Sequence, residues 1–382
     1  MTQEVVQSKN TDAEQAVNDL CSHLKKPLSS YTAIIFFASS MYDFQKLSEL
    51  LHEKFQKAEV IGATTAGEIT NSGFSKYTVV LNAISDTAAS RTQFKGVLIE
   101  NADKFPVIYK NDIIKAASSI GLQLSSNSIS RNAFAITLIC GLHNAEESIL
   151  SLLYNIIKDH DFMIAGGSAG DDLKFKSTYV SYNGRISDTG AVVLFVKTNA
   201  RFEIYKENIF HISGKSVILT GVNPEAHLVS TIDKKTPRKR YAEILGVPES
   251  QVNDAILEHP FGRVFGDEVF IASLERFDND GKLYMYARVL QDSSQEILEP
   301  MDAESICEQT CQNIIQKIPH PECVIFFNCI LRTIGFEKKH QQGTISNIWS
   351  KHFPVHSGFS TYGEQFGHIN SNQTLVVLVM GE

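Results

Sequence analysis

Two seven-residue segments, Gly62-Ala-Thr-Thr-Ala-Gly-Glu68 and Gly358-Phe-Ser-Thr-Tyr-Gly-Glu364, share the pattern Gly-x-Thr/Ser-Thr-x-Gly-Glu. In both, a threonine (Thr78, Thr374) stands eleven residues after the second glycine and opens an apolar stretch. Agreement in pattern and spacing marks an internal repeat, which restricts the fold to one placing like units in like surroundings. A looser third copy is Gly166-Gly-Ser-Ala-Gly-Asp171. Residues 33–39, 133–140 and 323–328 are apolar runs of strand length, suited to strands buried on both faces. A helical stretch follows each run. One over 43–57 turns Phe44, Leu47, Leu50, Leu51 and Phe55 inward, one over 144–160 starts at Asn144 with Glu147, and one covers 340–351. Short strands at 59–61 and 162–165 then enter the first two loops. Glycines at fixed positions supply left-handed turns and hydroxyls satisfy loop amides. Three copies in one fold also favour a shared pocket lined by the loop ends.

Thr11-Asp-Ala-Glu14 has the form of a capping box before a first amphipathic helix. Residues 214–288 break the repeat with hairpin signals and two short helices. Asp278-Asn-Asp-Gly281 is a β-turn signature inside that region. The expected architecture is α/β, with two subdomains at 1–220 and 221–382 whose mixed sheets carry the repeated strand–helix–loop unit. Segments 33–81 and 324–377 should share one strand–helix order.

With 43% apolar and 20% charged residues in 382, the chain is globular and has room for two or three cores. A net charge of −8 argues against nucleic acid as a main partner, since phosphate binding needs a cationic surplus. The amino-terminal residues show no secretory pattern, and no apolar run is long enough for a bilayer. No membrane partner is expected, and the six sparse cysteines fit a reducing cytoplasm.

Several chemical motifs dissolve on inspection. Gly214-Lys-Ser216 lacks the earlier glycine of a phosphate loop, Ile209 standing in its place. Asp278–Gly281 lacks further calcium ligands. The basic run 234–240 reads as a solvated helix entrance, with an acidic docking partner as the other reading. Cys307, Cys311, His320 and Cys323 raise zinc or iron–sulfur binding, but their spacing fits no standard site. Ser168 in Gly-Gly-Ser-Ala-Gly matches a nucleophile elbow by letters, whereas the following residues lead toward a strand instead of a helix. Among the twelve histidines, His259 stands at a helix end beside a Pro-Phe-Gly turn. Arg263, four residues on, could meet a carboxylate; His356 and His368 flank the third loop as competitors.

Residues 60–68, 164–171 and 360–364 resemble the three glycine-rich signatures of the FIST family of bacterial sensory domains, over about residues 30–380. Phe327-Asn-Cys-Ile-Leu-Arg332, the segment 358–366 and Asn372-Gln-Thr374 are similar to its stand-alone NosP branch of nitric-oxide-sensing haem proteins. That resemblance implies a FIST N-type region over 1–220 and a FIST C-type region over 221–382. It also implies an iron held in haem b by a histidine, nitric oxide as ligand, and a partner histidine kinase. It leaves room for a homodimer and implies no enzymatic role. No Cys-x-x-Cys-His is present, so the haem would be non-covalent. His259 is the expected iron ligand, with Arg263 at a propionate, Phe261, Val264 and Phe265 as an apolar shell, and His356 and His368 as runners-up. A family histidine near Asn372-Gln-Thr374 has Asn370 in its place here, with His368 two residues earlier. The alternatives are a small metabolite such as an amino acid bound without haem, and a hydrolase using Ser168.

Overall fold

A computed structural model describes residues 1–87, 91–266 and 268–382. They form two compact units: residues 1–207, 307–370 and 375–382 in the first, and 208–306 with 371–374 in the second. The expected division at 220/221 does not coincide with these units. The chain leaves the first unit at 207 and returns at 307, deep inside the expected second half.

The first unit contains three passes through one element order. The first is β1 (Thr2–Ser8), α1 (Ala13–His23), β2 (Ala33–Ser39), α2 (Phe44–Lys54), β3 (Glu59–Thr65), β4 (Glu68–Thr70), β5 (Gly73–Ser75) and β6 (Val79–Ser85). The second is β7 (Gln93–Ile99), α3 (Lys110–Ser119), β8 (Ala133–Cys140), α4 (Glu146–Ile156), β9 (Ile164–Ala169), β10 (Val180–Tyr182), β11 (Arg185–Ser187) and β12 (Ala191–Lys197). The third opens with β13 (Arg201–Asn208). An insertion follows: β14 (Phe210–Asn223), β15 (Leu228–Ile232), α5 (Pro237–Leu245), α6 (Val252–Ala255), β16 (Phe261–Phe265), β17 (Glu268–Ala272), β18 (Leu274–Phe277), β19 (Leu283–Met285) and β20 (Ser293–Pro300). The pass resumes with α7 (Ala303–Lys317), β21 (Pro321–Cys329), α8 (Ile330–Lys338), α9 (Gln342–His352), β22 (Ser357–Thr361), β23 (Glu364–Phe366), β24 (Ile369–Ser371) and β25 (Thr374–Gly381). Segments 33–81 and 324–377 thus share their strand–helix order. The repeat also reaches back to an opening strand and helix that the loop pattern does not reveal.

Each pass builds its own mixed sheet. The central strand runs parallel to the one entering the loop and antiparallel to the last: β2 with β3 and β6, β8 with β9 and β12, β21 with β22 and β25. The small hairpin after each loop joins another sheet. β4–β5 pairs with β22, β23–β24 with β9, and β10–β11 with β3. The exchange is cyclic, so each sheet is completed by a different repeat.

Alternation along the central strands explains their unbroken apolar character. Ala33, Ile35 and Phe37 face one core with Ile136, Leu138, Ile325 and Phe327, while Ile34, Phe36 and Ala38 face a second core with α1 and α2. The loop glycines serve close packing. A Cβ on Gly62 would lie 2.3 Å from the Phe36 ring, on Gly166 2.1 Å from Thr137 Oγ1, and on Gly358 2.1 Å from the Phe326 carbonyl oxygen. These three occupy equivalent register positions, so β3, β9 and β22 run on into the expected loops. Gly67 alone of the loop glycines has a left-handed φ, 130°.

Helix boundaries depart from expectation for local reasons. Asp12, one residue after Thr11, caps α1 by accepting from the Gln15 amide at 2.9 Å. Asn144 has φ 52°, a turn conformation that cannot begin a helix, so α4 starts at Glu146 without a side-chain cap. The helix expected at 340–351 is α9, which begins at Gln342 after His340 takes φ 54°, and α8 is a further helix ahead of it.

The second unit is a seven-stranded sheet in the order β17-β16-β20-β14-β15-β19-β18 over its own core, including Val217, Leu219, Tyr241, Phe261 and Phe277. Asp278–Gly281 forms the expected turn between β18 and β19, and the basic run enters α5, where Lys235 pairs with Glu243 at 2.7 Å and Arg240 with Asp233 at 2.7 Å. Gln373, in the short returning segment, accepts from Ser273 Oγ at 2.7 Å and donates to the Leu257 carbonyl at 2.9 Å.

Candidate functional site

The ends of β3, β9 and β22 meet in a ring of backbone hydrogen bonds within the first unit. Ser360 donates its amide to Gly67 O (2.7 Å) and accepts from Ala66 N (3.1 Å). Ser168 donates to Gly363 O (2.7 Å) and accepts from Tyr362 N (3.0 Å). Thr64 donates to Tyr179 O and accepts from Gly170 N, both at 2.9 Å. Thr64, Ser168 and Ser360 are register equivalents, each one residue before the end of its strand pairing, and all are buried.

Their hydroxyls meet different partners. Thr64 Oγ1 accepts from the Tyr179 amide at 2.9 Å. Ser168 Oγ donates to Glu146 Oε1 at 2.7 Å and accepts from Gln365 Nε2 at 3.1 Å. Burial, with Glu147 nearby, pushes the Glu146 carboxyl up to about 7 against the opposing pull of Ser168. Ser360 Oγ lies 2.8 Å from Thr333 Oγ1, which accepts from Asn328 Nδ2 at 2.9 Å. Asn328 Oδ1 accepts from Arg332 Nε at 3.0 Å, and Arg332 pairs with Glu207. Both charged side chains are fully buried, and Cys307 Sγ donates to the same Glu207 oxygen at 3.3 Å. Burial opposes the charge on Arg332, and Glu207 more than offsets it. Nη1 of Arg332 and Oε2 of Glu207 remain buried without a hydrogen-bond partner.

Glu68 closes the first loop. It accepts from Thr65 Oγ1, and from the Thr78 amide and hydroxyl at 3.2 and 2.6 Å. Burial outweighs these bonds and pushes its carboxyl up to about 8. Thr361 donates to Glu364 in the same way. In the second loop Asp171 accepts from the amides of Phe175, Lys176 and Ser177 (2.9, 2.6 and 3.1 Å) and from Tyr362 Oη (2.6 Å). Ser168 is no nucleophile elbow: β9 runs through it, and the chain proceeds to β10 without a helix.

The expected haem residues do not gather at this ring. His356 is wholly buried, its Nδ1 2.7 Å from the Phe353 carbonyl and its ring 5.0 Å from that of Phe326, and burial lowers its pKa. His368 is exposed, its ring edge-on to Tyr154 at 5.6 Å. His259 and Arg263 belong to the second unit. The partly exposed His259 ring has Nδ1 3.2 Å from the Leu298 carbonyl, and the Tyr241 hydroxyl holds its own carbonyl at 2.7 Å. Arg263 is also partly exposed. Of the expected apolar shell, Phe261 is buried in the core, whereas Val264 and Phe265 are exposed at the end of the β16–β17 hairpin. Among the described residues, no three His, Cys, Asp or Glu side chains come together as a metal-binding group. Cys307 and Cys311 share α7, with Cys307 contacting Glu207, whereas Cys323 packs in the central core.

The FIST N domain matches residues 32–235, and the FIST C domain matches residues 238–367. The chain belongs to the FIST family. Its role is therefore sensory signal transduction. No curated protein matches the sequence. Among solved structures, a cyanuric acid hydrolase covers 100% of this FIST protein and 99% of its own chain at 7% identity and TM-score 0.38. The cyanuric acid hydrolase of A. caulinodans gives 8% identity, the same coverages and TM-score 0.36. Phosphoribosylformylglycinamidine synthase II of Thermotoga maritima gives 12% identity, 100% and 72% coverage, and TM-score 0.20. Such distant likenesses carry no chemical argument. Among the described residues of the FIST protein, no helix is long and apolar enough to cross a membrane.

Glu207 and Glu146 escaped the sequence reading. Glu207 meets Arg332 across a separation of 125 residues, with no local motif to announce it. Arg332 closes Phe327-Asn-Cys-Ile-Leu-Arg332, yet only its burial shows what that arginine holds.

Proposed function

We propose that this FIST protein is a non-enzymatic sensor that takes up haem b non-covalently through His259, reports nitric oxide, and passes the signal to a histidine kinase. The supporting observation is the bond geometry of His259. A proton on Nδ1, donated to the Leu298 carbonyl at 3.2 Å, leaves Nε2 with a free lone pair on a partly exposed ring. That is the tautomer in which the imidazole could hold an iron through Nε2. On β16, the strand that follows His259, Phe265 adds exposed apolar surface suited to a macrocycle, and Arg263, two residues before it on the same face, suits a propionate. The bound haem would supply an iron coordination position for nitric oxide. The chain's own part is to hold the imidazole: a displacement of His259 would be felt at Leu298 on β20, which pairs with both β14 and β16. Such a link biases signalling only through differential binding to two conformations.

Titration of the purified chain with hemin, beside His259→Ala, His356→Ala and His368→Ala, tests the site. A Soret band that shifts with nitric oxide and is lost in His259→Ala is expected. A wild type that takes up no hemin ends the reading, and full uptake by His259→Ala with loss in another variant moves the ligand there. Autophosphorylation of the cognate kinase should differ among the iron-free, ferrous and nitrosyl forms; equal rates remove the signalling claim alone.

A second reading, an amino-acid-like metabolite bound without haem, is supported by the unused Arg332 Nη1 and Glu207 Oε2. One buried donor beside one buried acceptor suits a zwitterion. Hydrolysis by Ser168 finds less support, because its hydroxyl is buried and committed to Glu146 and Gln365.

A further inference from the structure

A cleft of about 480 Å³ opens in the first unit where β8 and β13 begin and α7 ends. It lies at the opposite end of β8 from the glycine-rich loop, since β8 and β9 are parallel and Ser168 is near the end of β9. Its lining includes Arg131, Arg201, Phe202, Glu203 and Lys317. Lys317 is paired with Glu203, so those charges offset one another. Arg131 and Arg201 are exposed, and neither guanidinium has a hydrogen-bond or ion-pair partner among the described residues. The cleft therefore carries two positive charges without an ion pair on a chain whose net charge is −8.

Ordered turns place both arginines. Ser130 donates its amide to Asp159 at 2.8 Å, and the Asp161 amide donates to the same carboxyl at 3.1 Å. Across the cleft, Thr198 donates its amide to Asn132 O at 2.8 Å, and its hydroxyl, 2.9 Å from that of Thr92, accepts from the Ala200 amide at 3.0 Å. The Thr198–Asn132 bond ties the two turns together, so the arginine backbones are held in one frame. Phe202, half-buried and with its ring 4.8 Å from that of Phe134, supplies an apolar wall.

We propose that this cleft is a second ligand site, binding a small organic dianion between Arg131 and Arg201. Two guanidiniums lining one cavity repel each other, and an anion between them relieves that repulsion while gaining charge-assisted hydrogen bonds. The ligand chemistry is a phosphate ester or a dicarboxylate, with its carbon skeleton against Phe202. The site is independent of His259 and of the haem reading, and gives the sensor a second input.

Calorimetric titration of the full chain with inorganic phosphate and, separately, with succinate tests the proposal at low ionic strength. Binding of either at one site per chain is expected, weakening with added salt and falling about tenfold or more in Arg131→Gln and in Arg201→Gln. Phosphate alone marks a phosphoryl ligand, and succinate alone a dicarboxylate. Arg201→Lys should retain part of the affinity, and unchanged thermal melting of the glutamine variants shows that they remain folded. If neither probe binds, or the Arg131→Gln/Arg201→Gln double variant binds as the wild type does, the proposal is overturned.

Discussion

Glu68 and Glu364 are held alike in their loops, each accepting from a threonine at the end of its own strand, Thr65 or Thr361. The second repeat has Ala169 at the register position of those threonines and therefore no such hydroxyl. Its acidic residues look outward along the chain and across to other repeats. Asp171 holds three following amides and the hydroxyl of Tyr362, while Asp172 accepts from Ser39 Oγ, Ser40 N and Ser40 Oγ in the first repeat. Asp172, Leu173 and Phe175 all have φ near 50–60°, a conformation costly for bulky side chains. One strand topology thus supports two kinds of loop: one whose buried glutamate is held by its own strand's threonine, and a strained one whose carboxylates hold following amides and neighbouring repeats. The fold demands only the ring of backbone bonds; the side chains around it are free to diverge.

The strongest challenge to that distinction lies behind the third loop. Its Ser360 hydroxyl ends a chain running through Thr333, Asn328 and Arg332 to Glu207. Arg332→Leu should destabilise the chain by about 3–5 kcal/mol in urea unfolding, because it strands a buried carboxylate. Adding Glu207→Leu should recover much of the loss. A single-variant loss near zero would mean that the third loop needs no charged support.

A smaller effect is expected at the second loop. Asp171→Ala removes four hydrogen bonds and should cost about 2–4 kcal/mol, less than the bonds summed because the loop can relax. Hydrogen exchange should quicken at the Phe175, Lys176 and Ser177 amides and stay unchanged at that of Thr78. Equal quickening in both loops would erase the difference between them.

The smallest effect at neutral pH, and the one with a distinct pH signature, belongs to Glu68→Gln. The folded carboxyl titrates at about 8 and the unfolded one near 4.5, so the native state binds the extra proton across that window. The stability this proton linkage contributes is complete below about pH 4.5 and is lost as pH rises through 8. Glutamine keeps an oxygen for Thr78 and presents an amide toward Thr65, so acid stability should fall by about 1 kcal/mol or less. The variant should lose the decline in melting temperature between about pH 5 and 8 that Glu68 contributes. An unaltered slope would show that this carboxyl is ionised throughout.

The repeat, the strand–helix order around it and the α/β class were legible in the sequence because apolar runs and loop patterns are local. Even so, glycines suited to turns proved to be strand residues, since what they accommodate is Phe36, Thr137 or Phe326 on a neighbouring strand. The opening strand of each repeat stayed hidden, although a capping box announced α1: these strands carry no loop signature, and in the third repeat the insertion separates β13 from α7. The sequence by itself determined which segments would be buried on both faces and that three of them would be alike. Only the tertiary structure decided which hairpin completes which sheet, which buried arginine meets Glu207, and which arginines line one cleft. Those pairings depend on long-range chain closure, and residues such as Arg131 and Arg201 become neighbours through the Thr198–Asn132 bond that joins their turns.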